Sequence, residues 1–266
     1  MFNAAQCASV LEAIRARTPL VHNITNYVAM NNTANALLAV GASPAMVHAN
    51  EEVEEFVALA SALVINIGTL SPAWVKAMDA AACIANVRGI PWVMDPVGAG
   101  ATHFRTEVAT ALARLRPACI RGNASEIMVL AGSTANRPRG VDSLHGSEAA
   151  VAAARRLAAA TGAVIAVTGA TDYVTDGNAL LGLSNGHPLM ARVTGLGCSA
   201  TALVGAALAV EKDRMVAVTA GLSLLALAGE IAAEQSPGPG SLQVHLLDAL
   251  HQLDAATIVR RLKVSD

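Results

Sequence analysis

The sequence predicts an α/β fold of three layers, α/β/α, formed as a single domain over residues 1–266 around a mostly parallel central sheet. Short apolar runs typical of strands alternate with longer alanine- and leucine-rich segments, which is the pattern of repeated βαβ units. No long polar linker interrupts this alternation, and 266 residues can bury one large core. We therefore expect the sheet to be the middle layer, with helices on both faces.

The predicted strands are short and apolar, as expected for strands buried on both faces. In chain order they are Pro19–Val21, Ala45–His48, Leu63–Ile67, Trp92–Met94, Cys119–Arg121, Ala163–Val167, Tyr173–Thr175 and Met190–Val193. The predicted helices carry many small side chains, so they can approach a sheet closely. They are Asn31–Ala39, Pro72–Asn86, Ser147–Ala160, Ser199–Val210, Met215–Ala233 and, after the Pro- and Gly-rich turn 236–240, Ser241–Leu253.

The composition excludes one class of partner and favours another. The chain has 18 basic and 20 acidic residues, a formal net charge of −2, and no run of Lys or Arg, so we do not expect it to bind nucleic acid. Only 14% of the residues are charged, whereas 54% are hydrophobic. Apolar surface in this excess must be hidden in a thick core or between subunits, and we expect an oligomer.

The longest apolar stretch, Met215–Gly229, is interpreted as too short to span a membrane, so no membrane partner is expected. Met1–Val10 shows no secretory signal pattern, and a cytoplasmic location is predicted. The four cysteines are far apart and match neither a disulfide framework nor a zinc site. They are Cys7, Cys83, Cys119 and Cys198.

Two loops place a carboxylate at the end of a predicted strand. Asp95 opens the Asp-Pro-Val-Gly loop after one strand, and Glu126 closes the Gly-Asn-Ala-Ser-Glu segment after the next. Ligands of open α/β sheets bind beyond the carboxyl ends of the strands, so both residues are candidate site residues. The alternative is structural, because Gly and Pro explain the turns and an acidic residue is a common helix cap.

The Thr194–Ser199 segment, Thr-Gly-Leu-Gly-Cys-Ser, has the pattern of an anion-binding loop that opens a helix. Its glycines allow the backbone to approach a phosphate, and the first helical turn offers unpaired N–H groups and the positive end of the helix dipole. The same dipole is expected to lower the pKa of Cys198, so that a partly ionised thiolate accepts a proton or holds the substrate hydroxyl. The alternative is a small residue tolerated near a tight turn.

A dinucleotide-binding site is the main rival for this segment, since Gly195-x-Gly197-x-x-Ala200 satisfies that fingerprint. The fingerprint normally lies in the first βα unit and is followed by a second strand that carries an acidic residue. Here the predicted helix leads into another apolar helix. No Gly-Lys-Ser/Thr occurs in the chain, so a Walker-A phosphate loop is excluded.

Seven ordered motifs give the chain a specific resemblance to the hydroxyethylthiazole kinase family over about Leu11–Leu250. They are 22–26 (HNITN), 41–46 (GASPAM), 95–98 (DPVG), 121–126 (RGNASE), 140–143 (GVDS), 167–169 (VTG) and 195–198 (GLGC). The resemblance implies a ribokinase-like fold without a separate lid domain. In the wider superfamily the last loop ends in an aspartate, the catalytic base, and Cys198 in that place is typical of this kinase.

The resemblance also implies an ATP-dependent kinase with Mg²⁺ as cofactor, which phosphorylates the hydroxyl of 4-methyl-5-(2-hydroxyethyl)thiazole in thiamine biosynthesis or salvage. By implied role, the matched residues are catalytic (Cys198), substrate-binding (Asn26, Met46 and Gly195), ATP-binding (Arg121 and Thr168) and metal-organising (Asp95 and Glu126). Alternatives are a hydroxymethylpyrimidine or sugar kinase, an NAD(P)-binding enzyme, and a non-catalytic nucleotide sensor.

Without a lid, another element must shield the site from water, and a neighbouring subunit is the natural cover. We therefore expect a homotrimer with sites at its subunit interfaces. In that arrangement Asn26 and Met46 of one protomer would face the phosphate loop of the next.

Overall fold

The central sheet has nine strands within the part of the chain that the computed structural model describes, residues 2–132 and 144–265. The strands are β1 (Leu20–Ile24), β2 (Ser43–Ala45), β3 (Ala62–Asn66), β4 (Trp92–Asp95), β5 (Cys119–Asn123), β6 (Val164–Thr168), β7 (Asp172–Thr175), β8 (Leu180–Leu183) and β9 (Val264–Ser265). They lie in the order β2-β1-β3-β4-β5-β6-β7-β8-β9. The first six of this order pair in parallel, and β7, β8 and β9 continue the sheet in antiparallel pairs.

Helices cover both faces of the sheet, as predicted. They are α1 (Ala4–Arg17), α2 (Met30–Val40), α3 (Val53–Val57), α4 (Pro72–Arg88), α5 (His103–Arg114), α6 (Ala124–Leu130), α7 (Leu144–Thr161), α8 (Leu196–Leu208), α9 (Arg214–Ala233), α10 (Pro239–Gln252) and α11 (Ala255–Arg261), with a 3-10 helix at Pro188–Arg192. One core contains α1, α2 and α8 to α11, and the other contains α3 to α7. Strand β3 shows why there are two cores, since Leu63 and Ile65 point into one and Val64 into the other.

Helix α9 corrects an expectation about the longest apolar stretch. The sequence predicts a stretch too short to cross a membrane, but α9 has 20 residues and is long and apolar enough by length and composition. Its most apolar window is 83% buried inside the protein, between the sheet and the outer helices. The helix is thus apolar on all sides because it is a core element of this fold.

The predicted strands and helices are present, with two corrections in the strands. The strand predicted at Ala45–His48 begins and ends earlier in the structure, where the edge strand β2 is Ser43–Ala45. The strand predicted at Met190–Val193 is wrong, since a 3-10 helix occupies Pro188–Arg192. Pro188 stands at the start of that helix and His187 caps it, so local backbone signals prevail over the β-branched Val193. The elements α1, α3, α5, α6, α11, β8 and β9 were not predicted, and the 140–143 motif lies outside the described residues.

Candidate active site

The carboxyl ends of β3, β4 and β5 bring three polar side chains together at one edge of the sheet, and two of them, Asp95 and Arg121, were predicted as site residues. Asn66 ends β3 and pairs in register with Asp95, which ends β4. Arg121 lies on the neighbouring β5, and its Nη1 is 3.8 Å from Asp95 Oδ2. Because the three strands are parallel, residues near their ends meet at one place.

Asp95 is the buried carboxylate at the centre of this edge, with 1% of its surface exposed. Its Oδ2 accepts hydrogen bonds from Asn66 Nδ2 and Thr201 Oγ1, both at 2.8 Å, whereas its Oδ1 is buried without a partner. Burial raises the pKa of Asp95 to about 6; the charge of Arg121 opposes this rise and that of Glu126 adds to it. An ionised Asp95 with one free oxygen is suited to bind a cation or its water.

Glu126 acts as a cap at the start of α6, which is the structural alternative considered for it. Its Oε2 accepts from the backbone N–H of Asn123 at 2.8 Å, and Asn123 caps Glu126 in return. Its Oε1 accepts from the backbone N–H of Gly98 at 2.8 Å. Both oxygens therefore hold the two loops in place, and direct metal binding by Glu126 stays a prediction.

Arg121 and Thr168, the predicted ATP contacts, line one cavity of about 610 Å³. Arg121 Nη2 donates to Thr168 Oγ1 at 2.6 Å. The guanidinium also lies against the first turn of α8, where a Cβ on Gly197 would come within 2.8 Å of Arg121 Nη1. Glycine at position 197 thus allows the cation and the helix start to share one space, which is suited to an anion. The apolar side of the cavity comes from Leu222, Leu225 and Ala226 of α9.

Cys198 lies in the first turn of α8, whose N-cap is Gly195 with φ +81°. Its Sγ accepts a hydrogen bond from Asn26 Nδ2 at 3.3 Å. Burial, and then the neighbouring Asp95, raise the pKa of the Cys198 thiol; hydrogen bonds with Asn26 and Asn66 offset this only in part. The expected lowering of the Cys198 pKa is therefore wrong, because burial and the Asp95 charge outweigh the hydrogen bonds and the Arg121 charge.

A chain of side-chain amides connects the thiol to the buried carboxylate. Asn26 Nδ2 donates to Asn66 Oδ1 at 2.8 Å as well as to Cys198. Asn66 in turn donates to Asp95. Asn66 was not among the predicted site residues, although one signal could have identified it: it is the one polar residue in the otherwise apolar predicted strand Leu63–Ile67.

The remaining predicted substrate residues lie apart from the cavity. Met46 directly follows the edge strand β2 and is partly buried. Neither Met46 nor Gly195 is among the residues that line the cavity. Asn26 lies against Cys198 of its own chain. This contact corrects the expectation that Asn26 faces the phosphate loop of the next protomer, so of the two residues placed across an interface only Met46 keeps that prediction.

The donors at this edge fit a magnesium ion that is held mainly by substrate and water. Among residues 2–132 and 144–265, no group of three or more His, Cys, Asp or Glu side chains is arranged to bind a metal ion. Magnesium in kinases needs only one or two carboxylates besides the phosphate oxygens and water. The unpartnered Oδ1 of Asp95 is an oxygen that such an ion or its water could use.

Comparison with known proteins assigns the chain to a family. The hydroxyethylthiazole kinase family profile matches residues 11–256. The chain belongs to the hydroxyethylthiazole kinase family. A hydroxyethylthiazole kinase of Syntrophus aciditrophicus is 55% identical over 257 residues, which cover 96% of this chain and 95% of that relative. The solved structure of hydroxyethylthiazole kinase from Pyrococcus horikoshii superposes with a TM-score of 0.91 at 45% identity and covers 97% of this chain and 98% of that one.

The wider fold is ribokinase-like, as the resemblance implied. A ribokinase-like superfamily protein from Enterococcus faecalis superposes with a TM-score of 0.65 at 13% identity, covering 93% of this chain and 95% of that one. A likeness at this identity concerns the fold alone. The dinucleotide-binding alternative gains no support from the topology, because α8 is followed by α9 and not by a second strand.

Proposed function

We propose that this kinase transfers the γ-phosphoryl group of ATP to the hydroxyl of 4-methyl-5-(2-hydroxyethyl)thiazole, in thiamine biosynthesis or salvage. The observation that carries the proposal is the meeting of two sides at the start of α8. The cavity with Arg121 and Gly197 reaches it from one side, and Asn26 holds Cys198 on the other. A phosphate placed at this helix start lies between the nucleotide and an alcohol, which is the arrangement that a direct in-line transfer needs.

On the nucleotide side the protein supplies positive charge and N–H donors to the phosphates. Arg121 extends to the first turn of α8, where the unpaired backbone N–H groups and the helix dipole favour an anion. These groups are fixed before the reaction and sit where negative charge accumulates during transfer. Thr168 orients the Arg121 guanidinium by accepting its hydrogen bond.

On the acceptor side Cys198 is proposed to position the alcohol rather than to remove its proton early. A thiol whose pKa is raised by burial stays protonated near neutral pH and is a weak base. In a loose transition state the alcohol proton moves late, so a strong base is not required. The hydrogen bond from the Asn26 amide fixes the position of the Cys198 sulfur.

Magnesium is the proposed cofactor, and Asp95 is the side chain that would hold it, directly or through water. When bound with ATP, the ion would neutralise phosphate charge and orient the phosphates. Glu126 would contribute indirectly, since it fixes the Gly98 loop that follows Asp95. The second carboxylate also keeps the local potential negative, which favours a cation.

The proposed assembly is a homotrimer whose acceptor sites are completed across its subunit interfaces. The proposed location is the cytoplasm, and the chain is proposed to form a single domain without a lid domain. Support comes from the surface around the edge strand β2. Tyr27 and Val28, which precede α2, are 66% and 62% exposed, and Leu38 on α2 is 59% exposed. An apolar surface next to an edge strand is suited to burial against another copy of the chain.

The proposed substrate is tested by coupling ADP release to a panel of alcohols at fixed Mg²⁺ and ATP. The thiazole alcohol should give the highest kcat/KM, with hydroxymethylpyrimidine and sugars at least about a hundredfold lower, because the acceptor pocket must exclude water around a specific alcohol. A pyrimidine or sugar that reacts while the thiazole alcohol does not would overturn the substrate assignment. ATP binding without turnover on any alcohol would favour a nucleotide sensor instead.

A further inference from the structure

The loop after β8 forms one wall of the nucleotide cavity. Its residues 184–187 all line that cavity, and so does Pro188, the first residue of the 3-10 helix that follows the loop directly. Gly186 in the middle of the loop has φ +120°, a backbone conformation that favours glycine. The position of this wall therefore depends on the contacts that the loop makes on the side away from the cavity.

Asn185 holds the loop with its side chain. Its Oδ1 accepts from the backbone N–H of Lys263 at 2.7 Å, and its Nδ2 donates to the Arg261 carbonyl at 2.8 Å and to Glu230 Oε2 at 3.0 Å. These three bonds use both the oxygen and the nitrogen of the Asn185 side-chain amide, and all three partners are residues of this protein. These bonds connect the cavity wall to the end of α11 and to Lys263, which precedes β9.

Glu230 is the only carboxylate in the 20 residues of α9, four positions after the cavity-lining Ala226. Besides Asn185, its Oε2 binds Lys263 Nζ at 3.0 Å. Partial burial would raise the pKa of Glu230, but hydrogen bonds from Lys263, Asn185 and the Gly186 backbone outweigh it and lower the pKa. The carboxylate is thus ionised at neutral pH and bound to the loop at two successive residues.

A second contact from the same turn of α9 fixes the far end of the wall. A Cβ on Gly229 would overlap the side chain of Met190, which lies in the 3-10 helix and also lines the cavity. Two adjacent residues of α9 therefore hold the wall at both ends, one by close packing and one by charge and hydrogen bonds.

We infer that Glu230 is a positioning residue for the nucleotide, acting through the cavity-lining Asn185, and that the Arg261–Lys263 segment supports the same site although it contacts the cavity only through the loop. Glu230 does not touch the reacting atoms. Its loss would leave the Asn185 amide and Lys263 without their shared acceptor and would release the Asn185 end of the wall from α9. The expected consequence is weaker nucleotide binding with the transfer step itself preserved.

Glu234 provides a matched control. It lies on the next turn after Glu230, and its carboxylate pairs with Arg261, a residue of the same C-terminal segment. The Glu234 side chain is 54% exposed, whereas that of Glu230 is 19% exposed and contacts the wall. Glu230→Ala and Glu234→Ala therefore each remove one carboxylate and one ion pair to this segment, but only the first removes a contact to the cavity.

The test compares steady-state kinetics and calorimetric binding of Mg-ADP. Glu230→Ala should raise KM for ATP and Kd for ADP about tenfold, with kcat and KM for the alcohol within about twofold of wild type, and Asn185→Ala should do the same. Glu230→Gln keeps an acceptor for Asn185 and should show a smaller rise. Glu234→Ala should leave all four constants near wild type.

Unchanged nucleotide constants in Glu230→Ala would overturn the inference, as would a loss of kcat and thermal stability without a change in KM, which indicates a purely structural role. If Glu230→Ala does not fold, Asn185→Ala and Lys263→Met decide the question by the same criteria. The inference rests on the proposed kinase function, but ADP binding is measured without turnover. Failure of the substrate assignment and failure of this inference are thus distinguishable.

Discussion

The two sides of the α8 N-terminus differ in how completely one chain forms them. The proposed nucleotide side is a cavity of about 610 Å³ whose walls come from β5, β6, the 3-10 helix and α9 of the same chain. On the acceptor side, Asn26 holds Cys198, but Met46 lies beyond an edge strand and outside that cavity. The exposed apolar residues Tyr27 and Val28 lie on this second side.

The difference indicates that nucleotide binding and alcohol binding are assigned to different parts of the assembly. Nucleotide binding needs many fixed donors around a charged ligand, and a sheet edge with a helix start supplies them within one fold. A small apolar alcohol needs exclusion of water, which a second protomer can provide. Substitutions on the two sides should therefore alter different kinetic constants, and substitutions at their junction should alter both.

The largest effect is expected at the junction. Asp95→Asn removes the buried negative charge while keeping the shape of the side chain, so turnover should fall about a thousandfold because the proposed magnesium ion loses its carboxylate. Steady-state assays across a range of Mg²⁺ measure this loss. Asp248→Asn, at an exposed position of α10, should retain full activity. Near-wild-type turnover of Asp95→Asn at limiting Mg²⁺ would refute the metal role.

The next largest effect separates the nucleotide side from the acceptor side. Arg121→Met should lower kcat/KM for ATP about a hundredfold, because the phosphates lose a cation at the helix start, while KM for the alcohol stays within about twofold. Arg88→Met, at the exposed end of α4, is the control. An equal rise in both KM values would mean that the two sides are not independent.

A smaller effect is expected on the acceptor side. Cys198→Ala should reduce kcat about tenfold without changing KM for ATP, since the proposed role of Cys198 is to position the alcohol and its side chain does not line the cavity. Cys198→Asp should remain active. Cys83→Ala removes an exposed thiol and should have no effect. Complete loss of transfer in Cys198→Ala with intact ATP binding would show that the thiol is indispensable.

The proposed composite site predicts partial recovery when two inactive variants are mixed. Met46→Arg disrupts the edge-strand side, and Gly195→Trp disrupts the phosphate loop, where φ is +81° and Asn32 Nδ2 would lie 3.3 Å from a Cβ. If Met46 serves the next protomer, random trimers restore about a quarter of the sites. No recovery after subunit exchange, or a fully active species near 27.0 kDa by light scattering, would contradict the shared site.

Much of the fold was predictable because apolar patterns reflect burial on a sheet. The central strands, such as Leu63–Ile67, were found from short buried runs, whereas β8 was missed because Leu180–Leu183 reads Leu-Leu-Gly-Leu and follows a turn rather than a helix. Strand β9 has two residues and forms only by pairing with β8. Such an element depends on tertiary contacts that a local pattern does not contain.

Parts of the site were predictable to the extent that local sequence determines them. The glycines before α8 and the Asp95 loop have recognisable patterns, and Arg121 and Thr168 do lie together in one cavity. The pKa of Cys198 was predicted in the wrong direction because burial by other segments is not visible in the loop sequence. The part played by Asn66 was missed for the same reason, since its partners lie on other strands.

The smallest predicted effect concerns the stability of the junction in the absence of nucleotide and metal. Burial raises the pKa of Asp95 to about 6, above the value of about 3.9 for an unfolded aspartate. Between these two pH values the folded protein binds more protons than the unfolded chain, so the free energy of unfolding decreases as pH rises. The protonated carboxyl is therefore favourable to folding at low pH, and this contribution is lost as pH rises through about 6.

Asp95→Asn removes this titration, so the variant should gain stability relative to wild type as pH rises. The difference has an upper bound of about 3 kcal/mol, and hydrogen bonds that an amide makes less well will reduce it. At about 2–4 °C for each kcal/mol in a protein of this size, Tm of the variant should exceed that of wild type by about 5 °C at pH 8. The gain should fall to about a third of its pH 8 value at pH 4.5, and Asp248→Asn should show no such pH dependence. Calorimetric scans in EDTA measure both differences, and a variant that is equally or less stable than wild type at pH 8 would mean that the junction tolerates the Asp95 charge without cost.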